Sequence, residues 1–360
     1  MNKEVISDKQ GLFIIIMFIL GNSAIMIEGL EAKQDLWIAI ILSILLALPI
    51  ILISARLHQI FLEKDLFYIL EICFGKITGK FIILLYTWFV FHTEVLIFRN
   101  YSQFVNAVAL TETPLILPII AMGILCAWIV KEGIETLGRV AEFFSRIVIT
   151  FLILSMLMLI PVMNIDNIFP VLFNGIKPII KGAFSTLSFP FAQLFIFTMI
   201  FSNIINKSHY KIYITGLIIG GSIIFLTSTS IILVLGANKA QSLYFPTRNA
   251  FSKINIGNLI DNLEILIAVL LPVGTFIKGS VYLLATCKGI TRIFGFDNYR
   301  FIVIPMTLLI INVSYFIHNS IIDLFDWMGD IWPYYTFPFQ VILPIIIWIF
   351  AEVKKNNLLS

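Results

Sequence analysis

The sequence predicts an all-α polytopic membrane protein with ten transmembrane helices, and three observations carry that expectation. Hydrophobic residues fill 59% of the 360 positions, an apolar inventory that polar surface cannot cover in a water-soluble chain of this size. Charged residues make up only 12%, half the roughly 25% of an ordinary globular domain, and the mean hydropathy is +1.00. Charge-poor windows long enough to cross a bilayer, about 17–25 residues, recur along the whole chain. The same composition excludes disordered, collagen-like and disulfide-rich secreted classes.

The first window, Gly11–Ile27, follows Lys3 and Lys9. A basic start of this kind is shared with signal peptides, but no small-x-small site closes the stretch, so it is read as a retained helix. Leu36–Ala55 and Phe81–Phe98 come next, the latter amphipathic because it holds His92 and Glu94. Thr113–Val130 and Ile147–Ile165 complete five. The second five are Gly182–Asn206, Ile212–Asn238, Ile265–Cys287, which contains Lys278, then Phe301–Ile322 and Ile331–Ala351. All ten are read as helices, since a lone lipid-facing strand leaves its backbone groups unpaired. Outside them no segment is long enough to fold alone. Residues 165–181, with Asn167-Ile-Phe-Pro170 and Lys177-Pro178, read as a short surface helix punctuated by prolines, and Tyr244-Phe-Pro-Thr247 plays a similar part in the later loop.

Lysines and arginines are unevenly shared between alternate connections. Sixteen of the 24 fall on the side of both termini and seven on the other, with Lys278 the remaining one. Both termini are therefore expected in the cytoplasm. The net charge of +3 comes without a basic patch interleaved with aromatics, so nucleic acid is not a partner. Cys73, Cys126 and Cys287 are too scattered for a disulfide framework or a zinc site and read as apolar fillers. No metal and no cofactor is expected.

Two windows look interrupted. The first carries Gly21-Asn22-Ser23 amid unbroken Ile, Leu and Met, and the sixth carries Ser185-Thr-Leu-Ser188-Phe189-Pro190. Glycine weakens a helix, Asn and Ser compete for freed backbone groups, and proline deletes a helical donor. Interruptions at corresponding positions of two halves point to a transporter-type ligand site at the membrane midplane. Gly21, Asn22, Ser23, Ser188, Phe189, Pro190 and Gln193 are the candidate ligand-binding residues. The chain then reads as one domain, residues 1–360, with a first repeat over about 10–165 and a second over about 182–351.

Ionisable residues inside a span are costly and functional by default. Glu94 lies 14 residues from Lys80, roughly 21 Å along the third helix, and Lys278 roughly 15 Å from Lys288 along the eighth. Both are candidates for an ion, proton or gating role. His92, on nearly the opposite side of the helix from Glu94, reads as a packing residue. Glu28, Arg99 and Glu264 fall at span ends, where snorkelling to the interface is the default.

Nearly the whole chain resembles the endospore germination permeases, the B subunits of nutrient germinant receptors, within the amino acid–polyamine–organocation superfamily. The matching landmarks are Gly21-Asn-Ser-Ala-Ile, Gln34-Asp35-Leu-Trp37, Phe74-Gly75-Lys76 with Gly79-Lys80, and Arg99 with Thr113-Pro114. Further on come Gly133-Ile134-Glu135 with Arg139, Asn167-Ile-Phe-Pro170-Val-Leu, Gly175 with Lys177-Pro178, and Leu263-Glu264. The resemblance implies a five-plus-five inverted repeat with helices 1 and 6 unwound around a small-ligand site. It implies assembly with an A-type membrane subunit and a C-type lipoprotein subunit, and the sensing of a nutrient such as an amino acid at the spore inner membrane. Where the family has Gly then Glu after the sixth-helix Phe-Pro-Phe, this chain has Ala192 and Gln193, and Gln only hydrogen-bonds. Where the family favours Glu-Arg, it has Asp261-Asn262. In sodium-coupled relatives the eighth helix packs beside the first where a cation is held, and the Lys278 ammonium is expected to occupy or gate that position, against the alternative that it snorkels past Tyr282.

The leading expectation is a non-enzymatic receptor subunit embedded in membrane lipid; the alternative is a secondary amino-acid transporter driven by protons or sodium. No nucleophile–base–orienter set, metal-ligand cluster or phosphate loop supports an enzyme.

Overall fold

The computed structural model describes residues 4–24, 26–202, 204–205, 208–254 and 263–359. Asp261-Asn262 and the side chain of Glu264 lie outside the described residues. The chain is helical from end to end; among the described residues the only β pairing is a single bridge between Ile6 and Ile204.

The helix α1 (Asp8–Leu20) is started by a reciprocal cap. The Gln10 N–H donates to Ser7 Oγ at 3.2 Å, and the Ser7 N–H donates to Gln10 Oε1 at 3.0 Å, which satisfies two donors the first turn leaves open. Next come α2 (Leu36–Ile60) and α3 (Leu66–Val108), the latter capped by Asp65, which accepts from the Tyr68 N–H at 3.0 Å. Then follow α4 (Ile116–Glu132), α5 (Ile134–Leu159), α6 (Ile176–Thr186), α7 (Phe197–Ile200) and α8 (His209–Leu235). Two short helices, α9 (Ala237–Gln241) and α10 (Pro246–Phe251), precede α11 (Leu263–Phe294). The chain ends with α12 (Val303–Phe316), α13 (Ile321–Asp330), α14 (Trp332–Phe337) and α15 (Leu343–Leu359).

Among the described residues, six helical stretches are long and apolar enough to cross a membrane: Leu30–Ile60, Leu66–Val108, Ile134–Val162, Ile176–Ile200, His209–Leu235 and Trp332–Lys355. The pair α12–α13, bent by 101°, makes a seventh if it is one span. Helices α1, with 13 residues, and α4, with 17, are shorter than the roughly 20 residues a bilayer asks of a straight helix. Large apolar side chains stay exposed on the outside of the bundle, among them Leu45, Trp88, Trp128, Phe143 and Phe316, the surface expected against lipid.

Helix α1 is the core. Residues Ile14 to Leu20 are all buried, packed against α8, α5 and α11. Small residues make this approach possible: a Cβ on Gly216 or Gly220 of α8 would stand 2.5 and 2.6 Å from Ile15 and Ile19 side-chain atoms, the close packing that membrane helices use in place of a hydrophobic drive. Helix α11 lies between α3 and α1. The segment before α1 and the segment after α7 meet at one end of the bundle, where the Ile205 N–H donates to the Ile6 carbonyl at 3.1 Å. The start of α6 lies at the other end, beside the α1–α2 connection, so α1 and the α6–α7 stretch run in opposite directions.

The connection after α5 contains two 3₁₀ turns, Ile160–Val162 and Ile165–Ile168. It is tied down by polar contacts: Asn167 Nδ2 donates to the Leu233 carbonyl at 2.8 Å, Asp35 Oδ1 accepts from the Leu172 N–H at 3.0 Å, and Gln34 Nε2 donates to the Pro170 carbonyl at 3.2 Å.

Candidate functional site

Helix α1 stops at Gly21, whose φ of −21° and ψ of −115° leave the helical region, and a 3₁₀ turn spans Asn22–Ala24. After α6 the backbone leaves helical angles at Phe189 (φ −152°, ψ 112°), one residue before Pro190, and a 3₁₀ stretch over Ala192–Ile196 follows. The two irregular segments face each other through Lys278 of α11. A Cβ on Gly21 would stand 2.9 Å from Lys278 Cδ, and one on Gly274 would stand 3.0 Å from Gly21 Cα. Glycine at both positions lets α11 lie against the end of α1. The Lys278 ammonium sits 3.8 Å from the centre of the Phe189 ring and 4.9 Å from that of Phe18, favourable cation–π distances in a desolvated place.

Lys278 is completely buried and its Nζ has no hydrogen-bond partner. It does not snorkel, because its length is spent spanning from α11 to the Phe189 ring. Glu94 is equally buried, with both carboxyl oxygens unpartnered, and no ion pair joins it to Lys278.

Of the predicted ligand-binding residues, Phe189, Asn22 and Gln193 line three spaces. Phe189 lines a cavity of about 590 Å³ together with Glu28, Glu31, Ser185, Tyr244, Phe325 and Trp332. Asn22 and Phe189 share a much smaller space, about 20 Å³, with Thr93, Asn100, Met328 and Trp332. There Asn22 Nδ2 donates to Asn100 Oδ1 at 3.3 Å, while Asn22 Oδ1 has no partner. Ser23 is buried beside the Glu28 carboxyl. Ser188 closes its own turn by donating to the Ser185 carbonyl at 2.7 Å, and Pro190 is buried. Gln193 does not join them. It lines a separate space of about 10 Å³ with Tyr86, Phe89, Phe339 and Gln340, and neither of its amide atoms has a partner.

Two span-end expectations change. Arg99 is 3% exposed; its two terminal nitrogens donate to the carbonyls of Tyr315 and His318 at 2.9 and 2.7 Å. It therefore satisfies the open carbonyls at the end of α12, where a cation is also favoured by the helix dipole. Glu28 is 7% exposed and faces the large cavity, and the side chain of Glu264 lies outside the described residues. His92 packs as expected, stacked on Trp88 at 5.8 Å with Trp327 and Tyr335 edge-on at 5.3 Å. Cys73, Cys126 and Cys287 are buried and free, and no cluster of metal-ligating side chains occurs among the described residues.

Glu28, Glu31, Asn100 and Trp332 were not among the predicted ligand-binding residues. Their signal in the sequence is weak: Trp332 is one aromatic in an apolar run, and Glu31 sits in a polar connection.

At the opposite end of the bundle the charges are paired. Arg300 meets Glu4 at 2.9 Å, and Tyr299 donates to the same carboxylate oxygen at 3.0 Å. Burial, followed by the Glu4 charge, holds the Tyr299 phenol above its usual range. Arg56 grips Glu352 through two nitrogens at 2.5 and 3.1 Å, and Arg292 pairs with Glu71.

Residues 5–322 match the family model described as spore germination protein. This chain belongs to the spore germination protein family. Its relatives include spore germination protein KB of Bacillus subtilis (strain 168), 27% identical over 99% of this chain and 97% of that protein. Also similar are the putative spore germination protein YfkT, 24% identical over 96% of each chain, and spore germination protein A2, 23% identical over 96% and 95%, both from the same organism. The fold is similar to that of Mhp1, a nucleobase-cation-symport-1 family transporter solved in a closed conformation with bromovinylhydantoin bound. The TM-score is 0.68 over 94% of this chain and 77% of Mhp1, at 13% identity. This family member is thus a germination protein with a membrane-transporter fold.

Proposed function

We propose that this chain is the permease-like subunit of a spore germination receptor, and that it binds a small nutrient, an amino acid being the leading class, in a pocket between the irregular segments of α1 and α6. The carrying observation is the 590 Å³ cavity whose wall includes Phe189, the residue where α6 loses its helical backbone. From the vestibule this cavity forms, Phe189 leads to the smaller space at Asn22. Gly21, Asn22, Ser23, Ser188, Phe189 and Pro190 make up the inner boundary of that pocket, Gln193 borders the adjoining space, and Glu94 and Lys278 are the ion, proton or gating residues. In this reading the chain crosses the membrane ten times as two inverted repeats of five. The opposite courses of α1 and α6–α7 support it, with α1, α4, α11 and the bent pair α12–α13 counted as spans beside the six.

The same reading puts both termini in the cytoplasm, the chain in the spore inner membrane, and an A-type membrane subunit and a C-type lipoprotein against its flanks. Ten spans without a soluble domain leave little apparatus for signalling, so assembly is obligatory. A functional monomer that responds to nutrient after purification would contradict this.

Gly21→Leu tests the pocket. Its side chain must occupy the space of Lys278, whose Cδ a Cβ would approach to 2.9 Å, so the variant is expected to reach the membrane and lose its nutrient response. An unchanged dose–response would sink the assignment. The second reading, a secondary transporter, is favoured by the likeness to the Mhp1 fold. Accumulation of radiolabelled amino acid against a gradient by vesicles carrying the chain separates it from a pure sensor.

A further inference from the structure

The 590 Å³ cavity has a one-sided charge. Among the described residues lining it are the carboxylic acids Glu28 and Glu31, and no lysine, arginine or histidine. Glu28 is 7% exposed, and its Oε1 has no hydrogen-bond partner. Its backbone is fixed, since the Glu28 N–H donates to Ser228 Oγ at 3.2 Å. Among the described residues Lys278 forms no ion pair with it, its ammonium being held over the Phe189 and Phe18 rings. A carboxylate removed from water is costly without a cation in contact, and membrane proteins keep such residues where they serve a ligand or an ion path. Phe189, Trp332, Tyr244 and Phe325 line the same cavity, and aromatic faces attract cations.

We infer that the cavity takes a small molecule bearing a primary ammonium, and that Glu28 is the residue that receives it, with Phe189 and Trp332 as the aromatic walls. The inference rests on the reading of this cavity as the nutrient pocket and adds the chemical class. The ligand's ammonium supplies both hydrogen-bond donors and a positive charge to Glu28; nitrogen-free sugars and N-acylated amino acids offer O–H or N–H donors without the charge.

The test uses spore membranes that contain the full chain with its native partners. The twenty L-amino acids, radiolabelled, are screened for saturable binding; those that bind are competed with the matching N-acetyl amino acid and with the matching decarboxylated amine. Two variants accompany the wild type. Gly329→Trp blocks the cavity from a position where an added Cβ meets nothing within 4 Å. Glu28→Gln keeps shape and removes charge. A charge-assisted hydrogen bond lost from a buried site weakens binding roughly 10- to 100-fold. The expected result is binding that competes with the amine, fails to compete with the N-acetyl form, disappears in Gly329→Trp and weakens by that factor in Glu28→Gln at equal abundance. If the N-acetyl form competes as well as its parent, or Glu28→Gln binds like wild type while Gly329→Trp does not, the ammonium inference falls and the pocket survives. Binding untouched by Gly329→Trp overturns the pocket itself. No saturable binding of any of the twenty amino acids to wild-type membranes also overturns the ammonium inference.

Discussion

One end of α11 and its middle treat charge in opposite ways. Towards the end that carries Arg292, acids and bases meet directly: Arg292 with Glu71, Arg300 with Glu4, Arg56 with Glu352, and Lys9 with Glu142 at 2.9 Å. In the middle of the helix Lys278 is buried with its ammonium unpartnered, and Glu94, Gln193 and Asn22 each keep at least one polar atom without a partner. A chain selected for stability alone would pair these groups or replace them with apolar ones, since buried charge is at best a weak source of stability. The contrast separates residues that hold the bundle together from residues held in readiness for something else. Each region should answer differently to substitution.

The largest effect is expected in the centre, at Gly274. A side chain there strikes the Gly21 backbone, Cα at 3.0 Å and N at 3.1 Å, and backbone yields less readily than the tip of a flexible side chain. Overpacking costs about 1–3 kcal/mol, occasionally more. Gly274→Leu should therefore lower the melting temperature of the detergent-solubilised protein and abolish the nutrient response of spores that carry it. Normal melting together with normal response would show that α1 and α11 are not in close contact.

Arg99→Met comes next. It strips the Tyr315 and His318 carbonyls of their donors in a buried place, a loss of about 1–3 kcal/mol, read as a lower melting temperature. Restoration by Arg99→Lys should be partial, because one ammonium does not reproduce a planar fork with two separate donors. Smallest is Arg56→Met. The Arg56–Glu352 pair is part-exposed, 33% and 30%, and pairs of this kind are worth about 0–1 kcal/mol. A small drop in melting temperature with an unshifted nutrient dose–response is expected. A shifted dose–response would mean that the paired rim also takes part in sensing.

Glycine and proline made much of the centre legible in advance. Gly21 and Phe189-Pro190 mark two places in the centre where the backbone leaves helical angles, because these residues act on the backbone whatever surrounds them. Depth along a helix was equally readable, so Lys278 and Glu94 were expected inside and are found there. Side-chain direction was not. A long charged residue at a span end has the same sequence whether it snorkels or turns inward, and Arg99 turned inward because the open carbonyls at the end of α12 lay within its reach. Glu28 faces the large cavity for a tertiary reason too: α8 supplies Ser228 to fix its backbone. Gln193, four residues beyond Phe189, would share its face in a regular helix. The extended backbone at Phe189 and the 3₁₀ stretch after it rotate Gln193 towards Tyr86 and Phe339 instead. Gln34, Asp35 and Asn167, which carry the family resemblance, turn out to pin the connection after α5.

The most direct test of the contrast between a paired rim and an unpartnered centre is Lys278→Met. The substitution keeps the length of the side chain and its contacts with Phe18 and Phe189 while removing the charge. The measurement is the nutrient dose–response of spores carrying the variant at wild-type abundance, with the melting temperature of the same protein alongside. If Lys278 is held for function, the response is lost or misgated and the melting temperature is unchanged or higher, because a desolvated charge has been removed. Wild-type sensitivity and wild-type ion flux in this variant would contradict the account.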